Sequence, residues 1–454
     1  MEESTMGRLF GTDGARGVAN TELTAELAMN IGRAAAMVLI SEEVEHPTIL
    51  IGKDTRRSGD MLEGALIAGL CSVGANVELL GVVPTPAVAY LVGKYNADAG
   101  IMISASHNPF EFNGIKIFSS EGTKLPDDLE NRIEEIVLDH VVPYSLAKGS
   151  DIGTYRYMDN AAEEYIEHLV QSVPVDLEGM EIALDCSNGS SARTAEELFT
   201  KLGAKVHVLA AEPDGVNINK DCGSTHIENL CEYVKENKLC CGLAFDGDAD
   251  RCLAVDENGE LVDGDYLIAI CANDMKNRGV LKKNAVVGTV MTNMGFNKFC
   301  DEKGIKFVST AVGDRYVLEE MLREGYNIGG EQSGHIILLD YATTGDGQLS
   351  GAMILSIMKR TGEKLSELAK VMKRLPQVLI NVTVSPKGKL AFYNDKGVKK
   401  EIKRVSGILG DSGRILVRVS GTEPLVRVML EGEKIEEIQK LAEEAAQVVK
   451  DRLS

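Results

Sequence analysis

The sequence predicts an α/β protein built from three similar α/β domains and a smaller α+β domain at the carboxyl end. A chain of 454 residues is too long for one hydrophobic core, so several domains are expected. One strand–helix–strand pattern recurs three times along the chain. The carboxyl-terminal part then changes to alternating strands and one amphipathic helix. Length, repeat and change of pattern each favour this fold class.

Each copy of the repeat has an apolar strand, a helical stretch that ends at a glycine, and a second strand. The glycines are Gly74, Gly203 and Gly304, and the first strands read "PTILIGKD", "MEIALDCSNG" and "NAVVGTVMTN". A glycine that ends a helix between two strands is typical of a βαβ crossover. Three copies indicate three domains of similar design, and the alternative is a chance likeness among βαβ units.

The carboxyl-terminal part has a different pattern. The segments "QVLINVTV", "GRILVRVSG" and "LVRVMLEG" alternate as strands do, and "KIEEIQKLAEEAAQVVKDRL" has helical periodicity. A hinge is predicted at "KRLPQ", just before the first of these strands. The predicted domains are residues 1–152, 153–254, 255–372 and 373–454.

Composition excludes several classes of protein. The formal net charge of −21 argues against a nucleic-acid-binding surface, although a small anion could still bind in a local basic pocket. The amino terminus "MEESTMGRLFG" lacks the apolar core of a signal peptide, and no segment predicts a membrane span. Nine cysteines without a C-x-x-C pair indicate reduced thiols. A cytoplasmic protein without nucleic-acid or membrane partners is predicted.

The segment "LAFDGDADRCLAV" places Asp246, Asp248 and Asp250 at alternate positions, with Arg251 next. In an extended or gently looped segment this spacing directs three carboxylates to one side. Oxygen ligands of this kind suit Mg²⁺ or a similar hard cation. An acidic surface turn is the alternative. An EF-hand is excluded, because Arg251 stands where that loop requires glycine.

The segment "RVSGTEPLVR" predicts a phosphate-binding site in the carboxyl-terminal domain. A Ser-Gly-Thr loop offers backbone N–H groups and hydroxyls, and neighbouring arginines add fork-shaped positive charge. The alternative is a hairpin turn with two arginines on a strand face. The candidate phosphate ligands are Arg418, Ser420, Gly421, Thr422 and Arg427.

The segment "SASHNPFEFNGIKIF" places Ser106 beside His107 at the end of an apolar strand. The G-x-S-x-G signature of α/β-hydrolases is absent, so an acylated nucleophile is not indicated. A serine combined with a cation site and a phosphate site is better interpreted as a phosphoryl carrier. Lys116, brought back by a predicted Asn113-Gly114 turn, and His107 are the candidates for proton transfer. The alternative to proton transfer by His107 is a structural role in the turn.

The glycine-rich segment "GGEQSGH" offers Glu331, Ser333 and His335, a set that suits the recognition of sugar hydroxyls. By itself such a segment is often only a polar loop. Further polar residues predicted to line the same cleft are Arg16, Asp314 and Arg315.

Ser-His-Asn-Pro, "DGDADR", "GEQSGH" and "RVSGTEP" occur in the order and approximate spacing of the α-D-phosphohexomutase superfamily, which the whole chain resembles. "FGTDGARGVAN" and "GEQSGH" are most similar to its bacterial phosphoglucosamine mutase branch. Phosphomannomutase/phosphoglucomutase relatives more often carry Met in place of Gln332. The resemblance implies a four-domain, heart-shaped molecule with mixed sheets and a central cleft.

The resemblance also implies an activity, the interconversion of glucosamine 6-phosphate and glucosamine 1-phosphate through a 1,6-bisphosphate. Ser106 would be the phosphoserine and would hold Mg²⁺ together with Asp246, Asp248 and Asp250. Arg251 would lie in the same cleft, hexose 1,6-bisphosphate would be the activator, and a phosphosugar would be the substrate. A homodimer is a further expectation. The alternatives are a phosphomannomutase/phosphoglucomutase, a phosphosugar phosphatase and a non-catalytic sugar-phosphate sensor.

Overall fold

The computed structural model describes residues 8–11, 13–39, 46–173, 175–420 and 424–454. The chain divides into two compact units, of which the first comprises residues 1–291 and 305–371. The second comprises residues 292–304 and 372–454. Within the described residues the first unit contains three sheets and the second contains one. The predicted fold class, three α/β domains and an α+β domain, is confirmed.

The first sheet is mixed, with the spatial strand order β1-β5-β4-β2-β3-β6. Its strands are β1 (Ala15–Val18), β2 (Thr48–Lys53), β3 (Asn76–Val82), β4 (Ala99–Ile103), β5 (Phe112–Ser119) and β6 (Tyr155–Tyr157). Its helices are α1 (Ala25–Leu39), α2 (Gly59–Cys71), α3 (Thr85–Tyr95) and α4 (Asp127–Asp139). The strands β2, β3, β4 and β6 are parallel, whereas β5 is antiparallel to both β4 and β1.

Close helix packing supports this first sheet. The apolar residues of β2 are fully buried, as expected for a parallel strand whose two faces are both covered. Helices α1 and α2 approach so closely that a Cβ atom at Gly69 would lie 2.2 Å from the carbonyl oxygen of Met29. Only glycine fits at this crossing.

The second sheet has the order β11-β10-β9-β7-β8 and is also mixed. Its strands are β7 (Glu181–Asp185), β8 (Lys205–Leu209), β9 (Cys241–Phe245), β10 (Cys252–Asp256) and β11 (Leu261–Val262). The accompanying helices are α5 (Ala161–Ser172), α6 (Ala195–Lys201) and α7 (Glu228–Asn237). The antiparallel turn between β9 and β10 carries the three predicted metal-binding aspartates.

The third sheet has the order β13-β12-β14-β15. Its strands are β12 (Ala285–Thr289), β13 (Lys306–Thr310), β14 (Ile328–Gly330) and β15 (Ile336–Leu338). The helices of this part of the chain are α8 (Gly264–Asn277), α9 (Met294–Lys303), α10 (Asp314–Glu324), α11 (Gly347–Thr361) and α12 (Leu365–Leu368). The short hairpin between β14 and β15 contains the "EQSGH" segment.

The fourth sheet is antiparallel, with the order β16-β18-β17, and its apolar side packs against the last helix. Its strands are β16 (Gln377–Thr383), β17 (Gly413–Val419) and β18 (Leu425–Gly432). Its helices are α13 (Pro386–Ala391), α14 (Lys396–Leu409) and α15 (Ile435–Leu453). Among the described residues, no helix is both long and apolar enough to cross a membrane.

One local prediction differs from the structure. Asn113 and Gly114 do not form a turn, because they lie inside β5 and pair with Gly17 and Arg16 of β1. Gly114 is needed there for close packing, since a Cβ atom would lie 2.5 Å from the carbonyl oxygen of Ser104. In addition, β6 and β11 extend the first two sheets past the predicted domain limits at residues 152 and 254. The domain limits stay predictions.

Candidate active site

Ser106 lies in the connection between β4 and β5 and is fully buried. Its φ of 51° is in the left-handed region, which is uncommon for a residue with a side chain. The Ser106 hydroxyl donates a hydrogen bond to Oδ2 of Asp246 at 2.6 Å. The predicted carrier serine and the predicted cation site are therefore adjacent, although 140 residues separate them in the chain.

The aspartate triad, Asp246, Asp248 and Asp250, is buried in the turn after β9. One ligand oxygen of each aspartate lies within 4.8 Å of the other two. Ala249 has a φ of 56°, so the segment forms a turn, the looped one of the two conformations that the spacing allowed. Oδ1 of Asp248 and Oδ1 of Asp250 are buried without a hydrogen-bond partner.

This arrangement fits a hard cation. Unsatisfied buried carboxylate oxygens are costly unless a cation or donor compensates them. Burial raises the pKa of Asp246 well above its usual value, and the charges of Asp250 and Asp248 raise it further. A divalent ion would remove this mutual repulsion and use the free oxygens. The three aspartates are thus suited to bind a metal ion that prefers oxygen ligands.

Lys116 supplies positive charge beside the triad. Its buried ammonium lies 2.8 Å from Oδ2 of Asp248 and 3.5 Å from Oδ2 of Asp250. It also lies 3.3 Å from Oδ1 of Asp13, an acidic residue that the sequence analysis did not select. Burial lowers the pKa of Lys116, but the charges of Asp13, Asp248 and Asp250 outweigh burial and raise it. Lys116 therefore stays protonated and acts as a charged hydrogen-bond donor to these carboxylates.

His107 lies next to the Ser106 hydroxyl, with Nδ1 3.3 Å from Oγ. The same nitrogen accepts a hydrogen bond from Nη1 of Arg251 at 3.0 Å. Burial lowers the pKa of His107 to about 4, with further contributions from the charges of Arg251 and Arg16. The imidazole is neutral near pH 7 and can accept a proton. Two predicted site residues, Asp246 and His107, thus lie next to the Ser106 hydroxyl, and Arg251 contacts His107.

The "EQSGH" hairpin of the third sheet is attached to the strand that follows the triad. The Cys252 N–H donates to the Gly334 carbonyl at 3.0 Å, and Arg251 and His335 form an isolated antiparallel bridge. His335 is buried, with Nδ1 3.6 Å from Oδ2 of Asp250. Burial lowers its pKa, but the Asp250 and Asp314 carboxylates outweigh burial and raise it.

The other residues of this hairpin differ in their surroundings. Oε1 of Glu331 accepts a hydrogen bond from the Gly313 N–H at 3.1 Å, and Ser333 is exposed. The side-chain amide of Gln332 donates to Oδ2 of Asp263 at 3.2 Å, and Asp263 is the N-cap of α8. Gln332, the residue that distinguished the two branches by sequence, thus has a local structural role.

A second set of charges extends from the triad. Arg16 pairs with Asp13, which also accepts a hydrogen bond from Lys124 at 2.7 Å. Lys124 donates in addition to Asp314 at 2.6 Å, and Nε2 of His335 lies 3.5 Å from Oδ2 of Asp314. Neither Asp13 nor Lys124 was selected as a site residue from the sequence, although Asp13 lies within the quoted segment "FGTDGARGVAN".

Arg315 is not part of this cluster. Its guanidinium pairs with Asp127, lies 3.2 Å from Glu130 and lies 3.0 Å from Glu319. It lines a cavity of about 490 Å³ beside α4 and α10, whose wall also includes Lys124 and Asp314. The structure thus places Arg16 and Asp314 with the other candidate residues and directs Arg315 to α4.

The second unit contains the predicted phosphate ligands. Arg418 of β17 and Arg427 of β18 are directly opposite each other across the antiparallel pair. Like charges at such positions are unfavourable, so a bound anion would stabilise this arrangement. Ser420 is buried at the end of β17. Gly421 and Thr422 lie outside the described residues.

Comparison with known proteins gives consistent results over nearly the whole chain. Four family models match, each described as phosphoglucomutase/phosphomannomutase: alpha/beta/alpha domain I over residues 7–140, domain II over 163–259, domain III over 263–375 and the C-terminal domain over 379–448. A phosphoglucosamine mutase of Clostridium novyi is 55% identical over 98% of this chain and 99% of its own length. A phosphoglucosamine mutase of Acetivibrio thermocellus is 55% identical over 99% of this chain and 100% of its own length.

A solved structure gives the same fold. The crystal structure of a phosphoglucomutase/phosphomannomutase family protein from Burkholderia thailandensis aligns with a TM-score of 0.80 at 24% sequence identity. The alignment covers 99% of this chain and 99% of that protein. The four-part architecture is therefore shared over the full length.

Proposed function

The chain belongs to the phosphoglucomutase/phosphomannomutase family, and we propose that it interconverts glucosamine 6-phosphate and glucosamine 1-phosphate. The observation that carries the proposal is the buried contact of the Ser106 hydroxyl with Asp246 of the aspartate triad, at 2.6 Å. Relatives named phosphoglucosamine mutase, 55% identical over nearly the whole chain, support the amino sugar as substrate. The activity is that of an isomerase.

In this proposal the Ser106 oxygen carries a phosphoryl group. Asp246, Asp248 and Asp250, together with a phosphoryl oxygen on Ser106, would hold Mg²⁺. The ion would neutralise charge on the transferring group. The two buried oxygens that lack a hydrogen-bond partner, one on Asp248 and one on Asp250, support this assignment.

The transfer breaks the phosphorus–oxygen bond to Ser106 and forms one to the free hydroxyl of the sugar monophosphate. The sugar hydroxyl loses its proton to a base, and the released serine oxygen regains a proton. His107, neutral and with Nδ1 3.3 Å from the Ser106 oxygen, and Lys116, with its ammonium 2.8 Å from Asp248, are the candidates for these proton transfers. Arg251, bound to His107 at 3.0 Å, contributes positive charge beside the serine.

The product of this step is a sugar 1,6-bisphosphate, which also serves as the activator that phosphorylates Ser106. The bisphosphate then reverses its orientation, and its other phosphoryl group returns to Ser106 by the same reaction. Glu331, Ser333 and His335 would bind the sugar hydroxyls. The phosphate that is not transferred would be bound by Arg418, Ser420, Gly421, Thr422 and Arg427.

The proposal is tested by comparing kcat/KM for glucosamine 6-phosphate, glucose 6-phosphate and mannose 6-phosphate, each with Mg²⁺ and a catalytic amount of hexose 1,6-bisphosphate. We expect the amino sugar to be preferred by about tenfold or more, since its 2-ammonium group carries a charge that a 2-hydroxyl lacks, and a hydrogen bond to a charged group contributes about 1.5–3 kcal/mol. Equal or better rates with glucose or mannose phosphates would instead identify a phosphoglucomutase/phosphomannomutase. Net release of inorganic phosphate would identify a phosphatase, and absence of turnover a sensor.

Replacement of Arg418 by alanine should mainly weaken substrate binding. The variant loses one charge-assisted bond to phosphate, so KM is expected to rise by about 10- to 100-fold with a smaller change in kcat. The domain should remain folded, because the change removes one of two opposed arginines.

Steady-state kinetics of Arg418→Ala and of a control, Arg404→Ala, test this prediction. Arg404 lies exposed on α14 of the same unit and pairs only with Glu401 and Glu444 among the described residues. The control should keep the parent KM. Unchanged kinetics in Arg418→Ala would remove this arginine from the phosphate site.

A further inference from the structure

We propose that Arg56 and Asn219 are positioning residues that hold Ser106 in its left-handed conformation with the hydroxyl directed at Asp246. This inference rests on the proposed function, because it concerns how the carrier oxygen is aimed. Neither residue belongs to the aspartate triad or to the "EQSGH" hairpin. Arg56 follows β2 of the first sheet, and Asn219 follows β8 of the second.

Arg56 is 3% exposed, and all five of its guanidinium N–H groups have acceptors. Its Nε donates to Oδ2 of Asp54 at 2.8 Å, which pairs the buried charge. The other four N–H groups donate to the backbone carbonyl oxygens of Ser106 at 2.9 Å, Asn108 at 2.8 Å, Pro109 at 2.5 Å and Phe112 at 3.1 Å. One side chain therefore fixes four carbonyl groups of the segment that carries Ser106.

Asn219 acts on the same segment from the second sheet. Its side-chain amide donates to the carbonyl oxygens of Ser106 at 2.9 Å and Asn108 at 3.0 Å. Both N–H groups of the amide are used in this way. Asn219 is 6% exposed and has a φ of 57°, a conformation that asparagine tolerates better than most residues. The carbonyl of Ser106 thus receives donors from two different domains.

The peptide group on the other side of Ser106 is also fixed. The Ser106 N–H donates to Oγ of Ser104 at 2.9 Å, and Ser104 donates to Oδ2 of Asp54 at 2.6 Å. Because Asp54 also pairs with Arg56, the two sides of Ser106 are joined through one buried carboxylate. A residue held at a φ of 51° needs such support, since its surroundings must over-determine an uncommon conformation.

The loss of these donors should change chemistry more than binding. Without them Ser106 can relax toward negative φ, which moves its oxygen relative to Asp246 and to the substrate hydroxyl. A displacement of about 1 Å at a reacting atom can cost about 100-fold in rate. A residue that only stabilised the fold would lower the melting temperature and leave kcat per folded molecule unchanged.

Asn219→Asp is the deciding variant. Aspartate keeps the shape and tolerates the positive φ, but it removes both donors and places a carboxylate against two carbonyl oxygens. We expect kcat to fall by about 100-fold, with KM for glucosamine 6-phosphate within about twofold of the parent value. The rate at which glucose 1,6-bisphosphate phosphorylates Ser106, followed by intact mass, should fall in parallel.

Asn217→Asp is the matched control in the same loop. The Asn217 side chain donates to the Glu212 carbonyl at 2.9 Å and accepts from the Asp214 N–H at 3.0 Å, and neither contact involves the Ser106 segment. This variant should keep the parent kcat. An equal loss in both variants would mean general damage to the loop and would overturn the inference.

Arg56→Lys is the second variant and decides the matter if Asn219→Asp does not fold. Lysine keeps a positive charge beside Asp54 but has three donors on one atom, so it cannot serve four separated carbonyl groups. It should lower kcat and Ser106 phosphorylation as Asn219→Asp does, in protein whose cooperative thermal unfolding shows it to be folded. Parent kcat in either folded variant would overturn the inference. A parent protein that never becomes phosphorylated at Ser106 would instead contradict the proposed function.

Discussion

Replacement of Ser106 by alanine is expected to lower kcat by about 10⁴-fold or more while substrate binding is largely kept. The variant loses the oxygen that carries the phosphoryl group, and the remaining residues cannot replace it. The fold should survive, because Ser106 keeps its backbone contacts with Ser104, Arg56 and Asn219. Turnover by coupled assay and binding of glucosamine 6-phosphate by calorimetry measure the two effects separately.

Ser119→Ala is a suitable control for this variant. Ser119 ends β5 in the same sheet, and its hydroxyl contacts Oγ1 of Thr123 at 3.0 Å. The control should keep the parent kcat and the parent binding constant. Normal turnover by Ser106→Ala would rule out Ser106 as the carrier, and phosphorylation of the variant by hexose 1,6-bisphosphate would locate the carrier at another residue.

Replacement of Asp246 by asparagine is expected to abolish the stabilisation of the folded protein by Mg²⁺ without destabilising the metal-free protein. In the metal-free protein the substitution removes one of three mutually repelling buried carboxylates, so the free energy of unfolding should stay equal or increase. A metal at a hundredfold excess over its dissociation constant stabilises a folded protein by about 2.7 kcal/mol, and this gain should be lost in the variant. In addition, kcat should fall by about 100-fold or more.

Thermal unfolding with and without MgCl₂ measures this prediction without reference to activity. Asp185→Asn is the control, because Asp185 is a buried carboxylate of the same sheet that accepts from the Ser187 N–H at 3.0 Å and the Gly223 N–H at 2.8 Å. It should lower the melting temperature and keep the rise with Mg²⁺. A full Mg²⁺-induced rise in Asp246→Asn would show that the triad does not hold the ion.

The parts of the fold that were predictable from sequence are those marked by residues close together in the chain. The three βαβ repeats were recognisable because a helix that ends at Gly74, Gly203 or Gly304 follows an apolar strand each time. The triad was recognisable because its three ligands are close in the chain. Lys116 was predicted to return to the site, but its return was assigned to Asn113-Gly114. A strong local turn signal was there overridden by the pairing of β5 with β1.

The residues that were not predicted act through long-range contacts with the backbone. Arg56 and Asn219 bind carbonyl groups, which every residue possesses, so no pattern of side chains reveals the acceptors. Asp13 and Lys124 join the site through ion pairs whose partners lie far away in sequence. Arg315 neighbours Asp314 in the chain, but its guanidinium pairs with carboxylates of α4, which the sequence did not indicate. The sequence therefore predicted contacts among residues of one motif, but not the contacts between residues that are far apart in the chain.

The hydrogen bond between Ser106 and Asp246 has a consequence for the order in which the chain folds. It spans 140 residues, and His335 adds a contact with Asp250 from the third sheet. Contacts between such distant segments form late, because each requires the closure of a long loop. A nascent chain that has completed only its first sheet holds the serine but none of its acidic partners. Ser106 therefore meets Asp246 only after the second sheet has formed, and His335 joins Asp250 only after the third.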